Sequence, residues 1–148
     1  MHRPSVAQQA TLLSRRRGSA AWIADSVPVI QSFLERYHES RIRAETGLAY
    51  WQTDFAIGVD NDPSVYYRPD RSTASIYLNS LPYRELLAFG SLLEDLDRLP
   101  EANRWRGRAQ ALADAPNPPL WDERDGPYSS AHPALRDIDG PARLAPGA

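Results

Sequence analysis

The chain has 148 residues, of which 42% are hydrophobic and 24% charged, a composition typical of one soluble globular domain. Its net charge of −2 gives no strong overall attraction for nucleic acid, and no apolar run approaches the roughly 18 residues that cross a bilayer. There is no cysteine, and all 17 basic residues are arginine, which excludes thiolate sites, Schiff-base lysines and P-loop lysines. We therefore expect a cytoplasmic protein without a metal, a cofactor or a membrane partner.

The N-terminal half carries the signals of helices. A first helix is expected from Ser5 to Arg17, ending at Gly18, because glycine readily adopts the left-handed conformation that follows a helix. A short second helix follows Ser19, and a longer one starts near Pro28 and runs to about Glu45. In that longer helix, apolar residues at three- and four-residue spacing predict one buried stripe: Ile30, Phe33, Leu34 and Tyr37.

The pattern changes to a period of two between residues 48 and 79. In "LAYWQTDFAIGV" apolar and polar residues alternate, and "DND" before Pro63 is a turn signal. A second strand at 64–68 and a third at 73–79 complete a small antiparallel three-stranded meander. Matching the faces sets Asp54 opposite Arg68, where an ion pair is predicted.

Two further helices follow the meander. The first is capped by Asn79 or Ser80, has Pro82 in its first turn and continues to about Leu99, and the second covers 101–115. Apolar seams are predicted on both helices: Leu86, Phe89, Leu93 and Leu96 on the first, and Trp105, Ala109 and Leu112 on the second. The last 33 residues hold seven of the 13 prolines and no helical or strand period. The predicted fold is α+β, with one domain at 1–115 and an extended Pro-rich tail at 116–148.

The outer sheet face raises the question of function. It would present a mixture of hydroxyls, charges and aromatic rings: Tyr50, Gln52, Asp54, Tyr66, Arg68, Thr73, Ser75 and Tyr77. Such a face fits a solvated surface, a protein interface or a ligand pocket, since tyrosine and arginine are enriched at binding hot spots. The tail also carries aromatic anchors that an inert linker does not need.

We favour a non-enzymatic protein-binding module, such as an inhibitor, an adaptor or a small subunit of a larger assembly. Its contacts would come from the sheet face and the tail, through Tyr50, Tyr66, Arg68, Tyr77, Trp121 and Tyr128. The expected partner is another protein. This hypothesis depends mainly on the absence of nucleophile, metal and phosphate-binding signatures.

Two alternatives remain open. A cofactor-independent enzyme would use Asp54 as acid or base, Arg68 to orient an anion and Tyr77 as a donor. Nucleic-acid binding would use two arginine clusters, 15–17 and 104–108, and requires both on one surface. His38 lies near acidic residues and is interpreted as a solvent-edge histidine in preference to a base.

Overall fold

The computed structural model describes residues 4–53 and 69–115. In these ranges the chain forms four α-helices: α1 (Val6–Arg17), α2 (Val27–Arg41), α3 (Ile76–Glu94) and α4 (Leu99–Ala113). A short 3-10 helix, Ala21–Ser26, joins α1 to α2. The described residues contain no β-strand, and an isolated antiparallel bridge joins Ile42 to Ala49. The prediction of an α+β fold built on a three-stranded meander is therefore wrong, because this part of the chain is helical.

Helices α3 and α4 form an antiparallel hairpin at the centre of the core. Phe89 and Trp105 are fully buried, and their rings meet edge to face with centroids 5.0 Å apart. Leu86 and Leu93 lie on the same side of α3, and Ala109 lies on the same side of α4 as Trp105, all of them buried. The seam predicted for α3 is confirmed at these residues, and the seam predicted for α4 is confirmed at Trp105 and Ala109, whereas Leu112 is only half-buried. Helical spacing was a reliable signal here because the apolar residues recur over several turns.

Helices α3 and α4 approach each other closely at Gly90. A Cβ atom at this position would lie 3.0 Å from the Arg106 Cγ and 3.3 Å from the Ala102 carbonyl oxygen. At Gly107, on α4, a Cβ would meet no atom within 4 Å. The two glycines therefore differ in what a side chain would displace.

We expect Gly90→Val to lower the free energy of unfolding by about 1–2 kcal/mol, because the added methyl groups must push the helices apart. Gly107→Val is the matched control, and it should change stability by less than about 0.5 kcal/mol, since valine has a somewhat better helix propensity than glycine. Urea denaturation of both variants measures the difference. Equal effects at the two positions would contradict the close approach.

Glu85, on α3, caps the N-terminus of α1. Its side chain is fully buried, and its carboxylate accepts hydrogen bonds from the backbone N–H groups of Ala7 at 2.6 Å and Gln8 at 3.2 Å. The side-chain amide of Gln8 donates a third bond at 3.1 Å. The first N–H groups of a helix have no partner within the helix, and the Ser5 side chain makes no capping bond. A carboxylate 78 residues away in sequence supplies the acceptors instead.

The contacts between helices fix their directions. Ala7 meets Glu85, and the Thr11 hydroxyl donates to the Ala88 carbonyl at 2.9 Å, so α1 and α3 run the same way. Helix α2 runs in the opposite direction, because the segment after it meets the beginning of α3 through Asn79 while its own apolar residues share the core. All four helices contribute to that core, with Ala10, Ile30, Phe89 and Ala102 among its members. The fold is an up-down-up-down arrangement of four helices.

This arrangement brings four segments to one end of the bundle. They are the C-terminal half of α1, the 3-10 helix, the first turn of α2 and the connection from Asp95 to Leu99 between α3 and α4. We call this end the turn end. The loop from Ile42 to Thr53 and the start of α3 lie at the opposite end.

The predicted third strand is helical over most of its length. Helix α3 starts at Ile76, and the Ser75 hydroxyl caps it by accepting a hydrogen bond from the Leu78 N–H at 3.2 Å. Pro82 lies inside the helix and not in its first turn, and the cap is Ser75, not Asn79 or Ser80. Alternation over only a few residues misled the prediction, because Leu78 also belongs to a helical stripe that continues along α3.

The first predicted strand is an irregular buried segment in its described part. Tyr50 and Trp51 are 5% and 2% exposed, so successive side chains are both buried and no solvent face alternates with a core face. Asn79 holds this segment against α3: its side-chain oxygen accepts from the Ala49 N–H at 2.7 Å, and its amide donates to the Ala49 and Ser75 carbonyls at 3.1 and 2.9 Å. The second strand, the ion pair between Asp54 and Arg68, and the tail 116–148 lie outside the described residues.

Candidate protein-binding surface

Helix α1 has its small side chains inside and its large apolar side chains outside. Its buried residues are Ala7, Ala10, Thr11 and Ser14. Leu12 and Leu13 are 62% and 46% exposed, and Val6 is 45% exposed. A helix of an isolated domain normally turns its leucines to the core, so this orientation leaves apolar area in contact with solvent.

The reason for this orientation lies in the contacts of the buried face. Small side chains let α1 approach α3 closely enough for the Thr11 hydroxyl to reach the Ala88 carbonyl. The bonds from Ala7 and Gln8 to Glu85 fix the rotation of the helix about its axis. A rotation that buried Leu12 would remove the acceptors from these two N–H groups, which costs more than the burial of one leucine returns.

Trp22 lies beside the C-terminal half of α1. Its indole N–H donates to the Ser14 hydroxyl at 3.1 Å, and the Arg17 guanidinium lies over the ring, 5.6 Å from its centroid. The side chain is nevertheless 40% exposed. The exposed part of the Trp22 ring therefore adds to the apolar surface of α1. Its position is fixed, because a hydrogen bond and a cation–π contact hold the ring.

Exposed apolar residues are concentrated at the turn end. Seven large hydrophobic side chains are exposed among the described residues. Five of them belong to segments of the turn end, namely Leu12, Leu13, Trp22, Val29 and Leu99, whereas Val6 and Ile76 belong to the other end. Exposed apolar residues that gather in one region of a domain are typical of interaction surfaces, while single ones are ordinary.

Three arginines follow Leu12 and Leu13 on α1. Arg15, Arg16 and Arg17 occupy the last turn of α1, where they also interact favourably with the helix dipole. All three are exposed, and within residues 4–53 and 69–115 no ion pair involves any of them. This surface therefore combines exposed leucines, which offer apolar area, with tryptophan and arginine, which are enriched at the centre of protein interfaces.

Two of the binding residues predicted from the sequence can be located. Tyr50 is buried, with the Arg43 guanidinium 4.2 Å from its ring centroid, and Arg43 also donates to the Arg71 carbonyl. Tyr77 is half-buried on α3, and its ring lies 6.1 Å from that of Trp51. Both tyrosines pack at the end of the bundle opposite the turn end.

The remaining predicted site residues lie outside the described ranges. They are Asp54, Tyr66, Arg68, Trp121 and Tyr128. The proposed catalytic set of Asp54, Arg68 and Tyr77 is therefore described only at Tyr77, and it stays a prediction. Of the other face residues, Ser75 accepts from the Trp51 indole at 3.0 Å, a bond that packs the loop against α3.

The second arginine cluster is engaged within the domain. Arg106 forms an ion pair with Glu94 and, through its hydrogen bond, lowers the pKa of that carboxyl group below its usual value. The Arg108 guanidinium lies 4.5 Å from the centroid of the Trp105 ring. Two of the three arginines on which the nucleic-acid alternative depends thus have partners on their own chain.

His38, near the end of α2, is exposed, as its interpretation as a solvent-edge residue requires. Partial burial of the ring and the nearby Arg108 guanidinium lower its pKa, while Glu39 acts in the opposite direction. The neutral imidazole is therefore favoured. Among the described residues no group of three or more His, Asp and Glu side chains is placed to hold a metal ion.

No helix in the described part of the chain has the length and apolar character needed to span a bilayer. Comparison with protein-family models, with curated proteins and with solved structures finds no match to the chain. Any functional assignment therefore depends on the residues of this chain and their contacts.

The turn-end surface was missed by sequence reasoning. From the sequence, the arginines 15–17 are interpreted either as a phosphate contact or as part of a solvated helix face. A signal was present in α1, where small residues at 7, 10, 11 and 14 form one stripe and Val6, Leu12 and Leu13 lie off it. Two competing stripes on one short helix indicate that both of its faces make contacts.

Proposed function

We propose that the chain is a non-enzymatic protein-binding module whose contact surface is the turn end of the bundle. The observation that supports this best is the concentration of exposed leucine, valine and tryptophan side chains at that end, bordered by arginines. The function agrees with the class favoured from the sequence, but it uses a different surface, since the polar sheet face does not form in the described residues.

The chemistry of the surface favours a protein partner. Leu12 and Leu13 can bury apolar area, and each fully buried leucine stabilises a contact by about 1.5–3 kcal/mol. Trp22 is held in place before binding, so little side-chain entropy is lost when a partner covers it. The arginines can then pair with carboxylates at the rim, which increases the association rate and the specificity.

Affinity capture with the full-length chain tests this function. Wild type, Leu12→Gln/Leu13→Gln and Ile76→Gln are immobilised and exposed to nuclease-treated lysate of the source cells. Ile76 is the matched control, because it is an exposed apolar residue at the other end of the bundle. We expect the wild type and Ile76→Gln to retain the same protein, and the double variant to lose at least nine-tenths of it.

A recovered protein must then bind the purified chain in a two-component assay with the same dependence on Leu12 and Leu13. Equal recovery by all three baits would overturn the assignment of the surface. The binding function would be overturned if none of the baits recovers a specific protein, where a second copy of this chain counts as a recovered protein. Circular dichroism confirms that the double variant keeps its helices, as expected for two side chains that point away from the core.

A further inference from the structure

Arg43, in the loop after α2, has a guanidinium group that is held in a fixed position. Its backbone N–H donates to the Leu48 carbonyl at 3.0 Å, and its carbonyl accepts from the Gly47 N–H at 2.8 Å. The guanidinium lies over the Tyr50 ring, 4.2 Å from the centroid, and one of its nitrogens donates to the Arg71 carbonyl. The half-buried side chain is therefore ordered before any ligand binds, so it loses little entropy on binding.

Three arginine residues come together at this point of the fold. The hydrogen bond from Arg43 places the Arg71 backbone beside the Arg43 guanidinium, and the Arg71 side chain is exposed. The Tyr50 N–H donates to the Arg41 carbonyl at 3.3 Å, which joins the end of α2 to the same loop. Burial lowers the pKa of Arg41, Tyr37 acts in the opposite direction, and the positive charge of Arg71 lowers this pKa as well. Arg41 and Arg71 are therefore close enough to repel each other.

Carboxylates do not neutralise this group of charges in the part of the chain that the structure describes. No ion pair there involves Arg43 or Arg71, whereas Arg98 and Arg106, on the other side of the core, each pair with a glutamate. The Arg43 guanidinium makes one hydrogen bond to a described residue, so most of its five N–H donors remain for a ligand. Like charges held together weaken one another's protonated form, and a bound anion offsets this cost.

The chemistry of the site favours a phosphoryl group. A guanidinium presents pairs of parallel N–H donors that match two oxygens of a phosphate or a carboxylate, and stacking on Tyr50 fixes the plane of these donors. A phosphoryl group carries up to two negative charges and can satisfy two arginines, whereas a carboxylate carries one. A long nucleic acid is less suited, because the chain has a net charge of −2 and attracts a polyanion weakly.

We propose that Arg43 and Arg71 form a binding site for one dianionic phosphoryl group, at the end of the bundle opposite the turn end. Arg43 binds it with a fixed guanidinium, Arg71 with an exposed side chain, and the charge of Arg41 adds to the attraction. The site is separate from the turn-end surface and does not depend on the proposed function. A free phosphorylated compound and a phosphorylated side chain of another protein carry the same group, and the experiments distinguish the two.

Titration of the ¹⁵N-labelled full chain with inorganic phosphate, followed by NMR at constant ionic strength, provides the first test. The pH is kept above the second pKa of phosphate, so that the ligand is a dianion. We expect saturable shifts of the amide signals of residues 41–50 and 70–73, with a dissociation constant in the millimolar range, because the ligand is small. Acetate should bind at least fivefold more weakly. Equal binding of acetate would overturn the assignment to a phosphoryl group.

Two substitutions test the arginines separately. Arg71 has a φ of 57°, a left-handed conformation that asparagine tolerates, so Arg71→Asn removes the guanidinium and keeps the turn. Arg43→Lys keeps the charge but loses the planar pairs of donors and the stacking on Tyr50. Each variant should bind phosphate at least fivefold more weakly. Arg84→Gln is the control, because it removes one exposed arginine from α3, and it should bind as the wild type does.

The remaining outcomes are equally definite. The site is overturned if the wild type shows no saturable shift with phosphate, or if Arg71→Asn and Arg43→Lys bind phosphate as well as the wild type. NMR signals outside the two segments should be unchanged in both variants, which shows that they are folded.

A phosphoserine peptide, compared with its unphosphorylated form, identifies the source of the group. Binding of the phosphoserine peptide at least tenfold tighter than phosphate indicates a phosphorylated protein, and binding no tighter than phosphate indicates a free compound. A single-stranded oligonucleotide that binds at least tenfold tighter than both, and loses this binding in the two variants, would overturn the single-group site in favour of a nucleic-acid backbone.

Discussion

Replacing Glu85 with alanine is expected to lower the free energy of unfolding by about 3 kcal/mol, within a range of about 2–4 kcal/mol. The fully buried carboxylate accepts three hydrogen bonds, two of them from the backbone of the first turn of α1. Its removal leaves the Ala7 and Gln8 N–H groups without an acceptor and creates a cavity between α1 and α3. Both effects act on the same helix.

Two further variants make this prediction specific. Glu85→Gln keeps one oxygen acceptor but directs an NH₂ group toward backbone donors, so about half of the loss is expected. Glu94→Ala is the control on the same helix; its exposed pair with Arg106 is screened by solvent, so a much smaller change than for Glu85→Ala is expected. Urea denaturation followed by circular dichroism measures all three. A value for Glu85→Ala within about 0.5 kcal/mol of the wild type would contradict the capping role.

Asn79→Ala is expected to lower the free energy of unfolding by about 2–3 kcal/mol. The Asn79 amide is buried, and it makes both hydrogen bonds that the Ala49 backbone offers together with one to the Ser75 carbonyl. No alanine atom can replace these bonds, so a buried N–H and two buried carbonyls lose a partner. The loop that contains Trp51 is then held near α3 mainly by the bond from the Trp51 indole to Ser75.

Asn79→Asp tests whether both ends of the amide matter. An aspartate keeps the acceptor for the Ala49 N–H but faces two carbonyl oxygens with a carboxylate, so we expect a loss close to that of alanine. Ser80→Ala is the neighbouring control; it removes a bond to the Tyr77 carbonyl from a half-buried hydroxyl and should cost less than about 1 kcal/mol. The same denaturation measurement applies. An effect of Asn79→Ala no larger than that of Ser80→Ala would contradict the bridging role.

The helices could be predicted from the sequence because their signals are local. Gly18 has a φ of 71° and ends α1 as expected for a glycine in the left-handed conformation. The stripe containing Ile30 and Leu34 and the seam containing Phe89 and Leu93 are buried as predicted. Each pattern extends over at least two turns, which is enough for a period of 3.6 residues to be distinguished from a period of two.

The sequence could not exclude the meander, because the alternating pattern covers only a few residues. The structure that forms instead depends on contacts between residues far apart in sequence. Tyr50 and Trp51 are both buried, and Asn79 and Ser75, both distant in sequence, hold this segment against α3. Ser75 was placed on the polar face of a strand, but its hydroxyl is the cap of α3. A serine before an apolar run is a helix-start signal, and here it competed with a run of alternating residues.

The binding surface could not be predicted because the orientation of α1 is decided elsewhere in the chain. The composition of α1 allows either its small residues or its leucines to face the core. Glu85 decides in favour of the small residues by holding the Ala7 and Gln8 N–H groups.

The long sequence separation between α1 and its capping carboxylate also bears on the order of folding. Helices α3 and α4 follow one another directly and can pair by closing a short loop, whereas α1 must find a partner 77 or 78 residues away. We expect α1 to dock late and to detach first when the protein is destabilised, so that its amides exchange with solvent faster than those of α3. The leucines and arginines of α1 would then be correctly presented only on a completed domain, and a partially folded chain would lack the binding surface.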